Sequence, residues 1–189
     1  MGWTSSPHWT TPTVLKQDIV NEIDTERYTI VGWTGNWLKV IRRRDDRPFV
    51  TLFMIHSFRR REYGYKDVDS SSGPFQVSQS AAKWLRRELE KRNMAPANDW
   101  EASWLLRCER AARRDAAIKA LKPGDRIRCV ESFDCTDGSS FKAGTEFIFR
   151  YKTAQKLHVA RADGYGGYRL DKSLFFPLEM DDYPLMVVA

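Results

Sequence analysis

The sequence predicts an α+β protein in which an antiparallel β-meander with helices leads, through a basic helical connector, to a small SH3-like β-barrel. Three strand patterns follow one another between residues 28 and 58, and two amphipathic helices cover residues 78–121. Four short strand patterns separated by turns then fill residues 126–170. Because 189 residues can bury two cores, we expect one domain over residues 1–121 and a second over residues 122–189.

The first domain begins with a helix and a meander. Residues 14–23 place apolar side chains at helical spacing, and Thr13 is the predicted cap. Strands are predicted over residues 28–33, 37–43 and 49–58, because apolar and aromatic residues alternate there between turn signals. Residues 63–74 are predicted to form a loop, since glycines and serines surround the charged side chains.

Two amphipathic helices follow this loop. Ser78 or Ser80 is expected to cap the first helix, which reaches residue 92, and Asp99 to cap the second, which ends near residue 121. The Lys-Pro-Gly-Asp sequence that follows breaks the helical pattern. Strands are then predicted over 126–130, 146–151, 157–161 and 168–170, a density typical of a small barrel.

The chain carries an excess of positive charge, concentrated in the predicted helices. It has 31 Lys and Arg against 25 Asp and Glu, a net charge of +6 that favours anionic partners such as nucleic acid. Arg107, Arg110 and Arg114 recur at helical spacing and share one face, which predicts a surface that follows a phosphate backbone. A solvated face neutralised by its own acids is the alternative.

A second basic set stands at the turn of the meander. Arg42, Arg43 and Arg44 are consecutive, and the arginines of residues 59–61 would approach them across the hairpin. Clustered guanidinium groups repel one another unless an anion or an acid lies among them. We therefore predict Arg42, Arg43 and Arg44, together with the helical arginines, as nucleic-acid-binding residues.

The loop predicted over residues 63–74 offers an alternative, an enzyme that acts on a nucleotide or nucleic acid. Lys66 would attract an anion, Asp67 and Asp69 would accept hydrogen bonds, and His56 is the candidate proton carrier. No Ser/His/Asp or Cys/His spacing, phosphate-binding loop or dinucleotide motif accompanies them. The plain alternative is a connector whose charges pair with one another.

The cysteines bear on disulfides and metal sites, and the amino terminus bears on secretion and membrane insertion. Cys108, Cys129 and Cys135 are odd in number and lack ligand spacing, so we expect no disulfide framework and no metal site. No motif predicts a cofactor. The first residues form neither a signal peptide nor an apolar span, so we expect a cytoplasmic protein with no membrane partner.

Three segments carry a resemblance to a known family. Residues 1–3 read Met-Gly-Trp, residues 64–67 read Gly-Tyr-Lys-Asp, and residues 120–127 read Ala-Leu-Lys-Pro-Gly-Asp-Arg-Ile. With these segments the chain resembles a domain-of-unknown-function family from phages, plasmids and bacterial chromosomes. The resemblance implies a mobile-element context and no particular reaction.

The leading functional prediction is a non-enzymatic accessory protein of a phage or plasmid that binds nucleic acid or a nucleoprotein complex. One such role is inhibition of a host defence system, either CRISPR or restriction. A further alternative is a protein-interaction adaptor, whose barrel would grip a peptide through Tyr165, Tyr168 and Phe175.

Overall fold

The chain folds into two compact units, residues 1–109 and 110–189. The structure, a computed structural model, describes residues 3–4, 12–23, 26–57, 62–71, 76–129, 132–134, 138–163, 166–172 and 185–188. The division falls inside the longest helix, whereas the sequence predicted a boundary after Leu121. The physical reason is that Ile118 and Leu121 belong to the hydrophobic core of the second unit, so the last turns of this helix pack there.

The first unit combines an antiparallel meander with helices, as predicted. Its strands form a five-stranded sheet whose order, numbered along the chain, is β1-β5-β4-β3-β2. The elements are β1 Trp3–Thr4, α1 Pro12–Glu22, β2 Tyr28–Thr34, β3 Trp37–Arg42, β4 Arg47–Ser57, β5 Glu62–Asp67, α2 Gln79–Lys91 and α3 Asp99–Ala120, the last of which continues into the second unit.

Both faces of this sheet are covered by helices, because its strands carry apolar residues on both sides. One face, which includes Trp37 and Leu52, packs against α2 and α3 around Trp104. The opposite face, which includes Leu38 and Phe53, packs with Ile19 of α1 in a separate cluster. Since successive side chains of a strand point to opposite sides, consecutive residues such as Trp37 and Leu38 serve different cores.

The predicted loop over residues 63–74 is wrong in its first part, because residues 62–67 form strand β5. This strand lies between β1 and β4 in the sheet, with Gly64 opposite both Trp3 and Met54. Tyr63 is buried and its ring packs beside that of Phe53, so tertiary pairing overrides the weak strand preference of the glycine and the charged residues. Residues 72–74 lie outside the described residues.

The helices agree closely with prediction, but two caps differ. Ser78 caps α2 as predicted, with its hydroxyl accepting a hydrogen bond from the Ala81 amide. The cap of α3 is Asn98 rather than Asp99, since the Asn98 side chain accepts hydrogen bonds from the amides of the second and third helical residues. Helix α1 begins at Pro12, so Thr13 lies inside the helix and is not its cap.

The second unit is built on a five-stranded antiparallel sheet with the order β11-β10-β9-β6-β12 and a two-stranded ribbon, β7-β8. Its strands are β6 Arg126–Cys129, β7 Phe133–Asp134, β8 Ser140–Phe141, β9 Glu146–Lys152, β10 Lys156–Arg161, β11 Gly167–Asp171 and β12 Leu185–Val188. Four of them match the predicted strands, and the other three had no clear strand pattern. Among the described residues, no strand pairing closes this unit into a barrel.

One side of this second sheet forms the core of the unit. Phe147, Phe149 and Leu157 are almost completely buried there, and Phe141 of the ribbon packs edge-on against Phe147 with ring centroids 4.9 Å apart. The residues that alternate with these buried positions therefore point to the opposite side of the sheet. That outward side carries the candidate site.

Candidate nucleic-acid interface

Three neighbouring strands place an aromatic ring, an imidazole and an arginine side by side on the outward side of the second sheet. In the strand register, His158 of β10 lies opposite Tyr151 of β9 on one side and opposite Arg169 of β11 on the other. We call this outward surface of β9, β10 and β11 the sheet face; it comprises Arg150, Tyr151, His158 and Arg169. Directly opposed residues of antiparallel strands contact one another through their side chains.

The rings of Tyr151 and His158 are stacked. Their centroids are 4.1 Å apart and their planes differ by 13°. Tyr151 is nonetheless 56% exposed, so one side of its ring is covered by the imidazole while the rest meets solvent. A ring this exposed is available for contact with another molecule.

A β-bulge brings Arg150 to the same region. The register between β9 and β10 shifts next to His158, so that Tyr151 pairs with His158 and Phe149 with Val159, leaving Arg150 as the additional residue. Bulges redirect side chains and occur often beside functional sites. Arg150 is exposed, and with Tyr151, His158 and Arg169 it lines an open groove of about 570 Å³.

The cations around the sheet face fall into two groups. Lys156 forms an ion pair with Asp171 at 2.8 Å, and Arg128 contacts Glu146 at 2.6 Å; the hydrogen bond from Arg128 lowers the pKa of the Glu146 carboxyl. Within the described ranges, by contrast, no carboxylate lies within ion-pair distance of Arg150 or Arg169. The charge of these two guanidinium groups is therefore not offset by a carboxylate among the described residues.

A second cavity of the same unit contains one of the arginines predicted from the sequence. It has a volume of about 480 Å³, and its lining includes Arg114, Gln155, Asp171 and Lys172. Arg114 forms an ion pair with Asp115 at 3.2 Å. Asp171 stands two residues from Arg169 on β11, so this cavity and the sheet face border the same strand.

Of the three arginines at the turn of the meander, Arg42 and Arg44 have a carboxylate partner, whereas the exposed Arg43 side chain has none among the described residues. Asp45 accepts hydrogen bonds from Arg42 and also pairs with Arg44 at 3.8 Å; the Arg42 hydrogen bond lowers the pKa of the Asp45 carboxyl. The Arg43 amide donates a backbone hydrogen bond to the Arg27 carbonyl.

Arg107 and Arg110 are half-buried on α3 and make interactions of their own. The arginines of residues 59–61 lie outside the described residues.

Two of the predicted catalytic candidates lie on adjacent parts of β5 and its turn, in the first unit. Asp67 accepts a hydrogen bond from the Thr51 hydroxyl at 2.5 Å across the β4–β5 pair. Burial raises the pKa of the Asp67 carboxyl, with the Thr51 hydrogen bond acting in the opposite direction. The backbone carbonyl of Asp69 accepts a hydrogen bond from the Asn98 side chain, which ties the turn after β5 to the start of α3.

The other two catalytic candidates are Lys66 and His56. The backbone of Lys66 pairs with Leu52, and its side chain has a partner of its own. His56 lies on β4, and its side chain is outside the described residues. The assignment of these four residues as a catalytic set therefore stays a prediction.

The adaptor alternative rests on three aromatic residues. Tyr168 packs edge-on against Phe141 with ring centroids 4.9 Å apart, so much of its ring contacts the core of the second unit. Tyr165 and Phe175 lie outside the described residues.

Sequence reasoning did not identify Arg150, Tyr151, His158 and Arg169 as site residues. The signal for them was the alternation of β10, in which Lys156 and His158 interrupt the apolar positions Leu157 and Val159. That alternation assigns His158 to the outward side. The contact between His158 and Tyr151 depends on the bulge, and no local sequence pattern predicts that bulge.

Comparison with models of protein families, with curated proteins and with solved structures found no match. In the part of the chain that the structure describes, no helix has both the length and the apolar character needed to cross a membrane. Over the same residues, no group of three or more His, Cys, Asp or Glu side chains is arranged to hold a metal ion.

Proposed function

We propose that this protein binds nucleic acid through the sheet face of its second unit. The observation that carries the proposal is the pair of exposed guanidinium groups, Arg150 and Arg169, which have no carboxylate neighbour among the described residues. An arginine without an acidic partner offers its full hydrogen-bonding fork to a phosphate, and no ion pair has to break first. Each phosphate neutralised in this way releases counterions and adds affinity.

Most of the arginines predicted from the sequence are a weaker basis for the same function, the exception being the exposed Arg43, which lies alone among ion-paired neighbours. Arg42 and Arg44 share Asp45, and Arg114 is paired with Asp115, so a phosphate would compete with a carboxylate at each position. Net charge on a segment therefore overstates its capacity to bind an anion. We keep these arginines as a second, separable surface in the test below.

The accessory role in a phage or plasmid, including inhibition of host defence, remains part of the proposal. It is supported by the resemblance of the sequence to proteins of mobile elements and by its positive charge. The nucleic-acid interface can be tested without assuming this role.

We propose further that the second unit is the SH3-like barrel predicted from the sequence. The strand order supports this, because β6, β9, β10 and β11 form an antiparallel meander and the last strand, β12, returns to pair with the first, β6. The β7-β8 ribbon falls between β6 and β9, and its Phe141 packs into the core of the unit. An experimental structure in which β12 does not pair with β6 would contradict this assignment.

The test compares two double variants that remove the same charge. Arg150→Gln with Arg169→Gln alters the sheet face, and Arg42→Gln with Arg44→Gln alters the ion-paired turn of the first unit. Binding of a fluorescent oligonucleotide of about 16 nucleotides is measured by anisotropy at about 50 mM salt. We expect the sheet-face variant to bind about 100-fold more weakly, since two lost charge-assisted contacts of about 1.5 kcal/mol each sum to about 3 kcal/mol.

The control variant should stay within about threefold of the wild type, because Arg42 is already held by Asp45 and both arginines lie outside the sheet face. Equal losses in both variants would show that binding follows total charge and would remove the assignment to the sheet face. A wild-type protein that binds no oligonucleotide at this salt concentration would refute the proposed function.

A further inference from the structure

The Tyr151 ring is arranged to receive a second flat ring. His158 already lies parallel to it at 4.1 Å, which fixes the orientation of the tyrosine and covers one side. More than half of the Tyr151 surface is still open to solvent. A nucleobase stacks on exposed aromatic rings of this kind whatever its sequence, because every base has a flat π-face.

The surroundings of the ring match a nucleotide better than another flat molecule. Arg150 precedes Tyr151 on β9, and Arg169 faces His158 from β11, so one arginine is adjacent in sequence to the tyrosine and the other is the cross-strand neighbour of the histidine. At about 3.4 Å per residue along a strand and about 4.8 Å between strands, the backbone of Arg150 lies about 3.4 Å and that of Arg169 about 10 Å from that of Tyr151, distances that long arginine side chains can span toward the phosphates flanking a stacked base. The groove of about 570 Å³ is within the usual size range of small-molecule sites.

A duplex does not fit this arrangement in the same way. The bases of a duplex are stacked on one another, and exposing one face of a base requires unstacking at a cost of a few kcal/mol. Among its described residues, the sheet face offers one exposed ring and no apolar wedge to compensate for that cost. Duplex DNA would therefore contact the two arginines through its phosphates alone.

We propose that the sheet face binds single-stranded nucleic acid, with one unpaired base stacked on Tyr151 and the adjacent phosphates held by Arg150 and Arg169. This inference rests on the proposed function and specifies its ligand. It separates two contributions: the arginines act on any nucleic acid, whereas the ring acts only on unpaired bases.

The experiment uses the full chain and a pair of matched variants. Tyr151→Phe keeps the ring, and Tyr151→Leu keeps an apolar side chain without one. Each is titrated with a single-stranded oligonucleotide of about 16 nucleotides, as DNA and as RNA, and with the DNA duplex of the same sequence. Urea unfolding and circular dichroism confirm that both variants are folded.

We expect Tyr151→Leu to weaken single-strand binding about 5- to 100-fold and to leave duplex binding within about twofold. Tyr151→Phe should match the wild type within about twofold on both ligands. A single-stranded oligonucleotide that carries 2-aminopurine provides a direct reading of stacking. Its fluorescence should be quenched by the wild type and by Tyr151→Phe but not by Tyr151→Leu.

The possible failures are distinguishable. If Tyr151→Leu binds both ligands as tightly as the wild type while Arg150→Gln with Arg169→Gln weakens both, the proposed function stands and the stacking inference is overturned. If the wild type prefers the duplex, the inference is also overturned. If the wild type binds neither ligand, both the proposed function and the inference fall together.

Discussion

Replacing Arg47 by methionine is expected to destabilise the first unit by about 3 to 5 kcal/mol at neutral pH. The Arg47 side chain extends from β4. Its Nη2 atom donates hydrogen bonds to the Glu101 carboxylate at 3.1 Å and to the Ala95 carbonyl at 2.9 Å. Glu101 is completely buried, while the arginine is 18% exposed. The Glu101 carboxylate also accepts a hydrogen bond from the Ala97 amide, so it holds the segment before α3 in place.

The magnitude follows from the burial of the carboxylate. Two unit charges 3.1 Å apart attract each other by about 5 kcal/mol at an effective dielectric constant of 20, and this attraction offsets the cost of removing the Glu101 charge from water. Methionine preserves the length and apolar contacts of the arginine stem but removes the attraction. The carboxylate then keeps only the Ala97 amide as a partner.

A double-mutant cycle measures this interaction. Arg47→Met, Glu101→Gln and the double variant are unfolded in urea, with tryptophan fluorescence as the signal. We expect the double variant to be at least about 1 kcal/mol more stable than the sum of the single effects predicts, because the second substitution removes the charge that the first leaves unpaired. A loss below about 1 kcal/mol in Arg47→Met, or strictly additive effects, would refute the reasoning.

Four further predictions concern other polar side chains. Thr51→Val removes the donor to Asp67 and should lower the free energy of unfolding by about 1 to 3 kcal/mol at pH 7, measured in urea against Thr51→Ser. Because the pKa of Asp67 is raised, the folded state keeps the Asp67 proton to higher pH than the unfolded chain does. The free energy of unfolding should therefore fall as pH rises from about 3.9 through the folded pKa, and Asp67→Asn should flatten this slope. An unchanged slope would contradict the assignment. Lys152→Met should cost about 1 kcal/mol, since the ammonium caps the carbonyl of Ile118 near the end of α3, and a thermal midpoint equal to that of the wild type would refute it. Burial raises the pKa of the Cys108 thiol, so iodoacetamide should label its peptide only when the chain unfolds, and rapid labelling in the native state, read by mass spectrometry, would contradict the burial.

The elements that the sequence predicted well are those with local causes. Helix α2 follows from the spacing of its apolar residues and from the cap at Ser78, all within one short segment. Strand β3 follows from the alternation that begins at Trp37 and Leu38. Strand β5 was missed because Gly64 and Lys66 have weak strand preferences, and its pairing with β4 is a tertiary effect.

The candidate site was harder to predict because ion pairing is nonlocal. The sequence counts arginines but does not say which of them will meet a carboxylate: Arg92 contacts Asp46 from 46 residues away, and Arg47 contacts Glu101 from 54 residues away. Arg150 and Arg169 stood out only once these pairings were known. The sequence favoured the arginine-rich helices as a binding surface because their charged residues lie close together along the chain.

The salt dependence of single-strand binding tests the central claim most directly. The logarithm of the association constant is measured against the logarithm of salt concentration for the wild type and for Arg150→Gln with Arg169→Gln. Since each phosphate contact on a single strand contributes about 0.7 to this slope, the variant should show a slope that is shallower by about 1.4. Parallel lines for the two proteins would contradict the claim that these guanidinium groups bind phosphate.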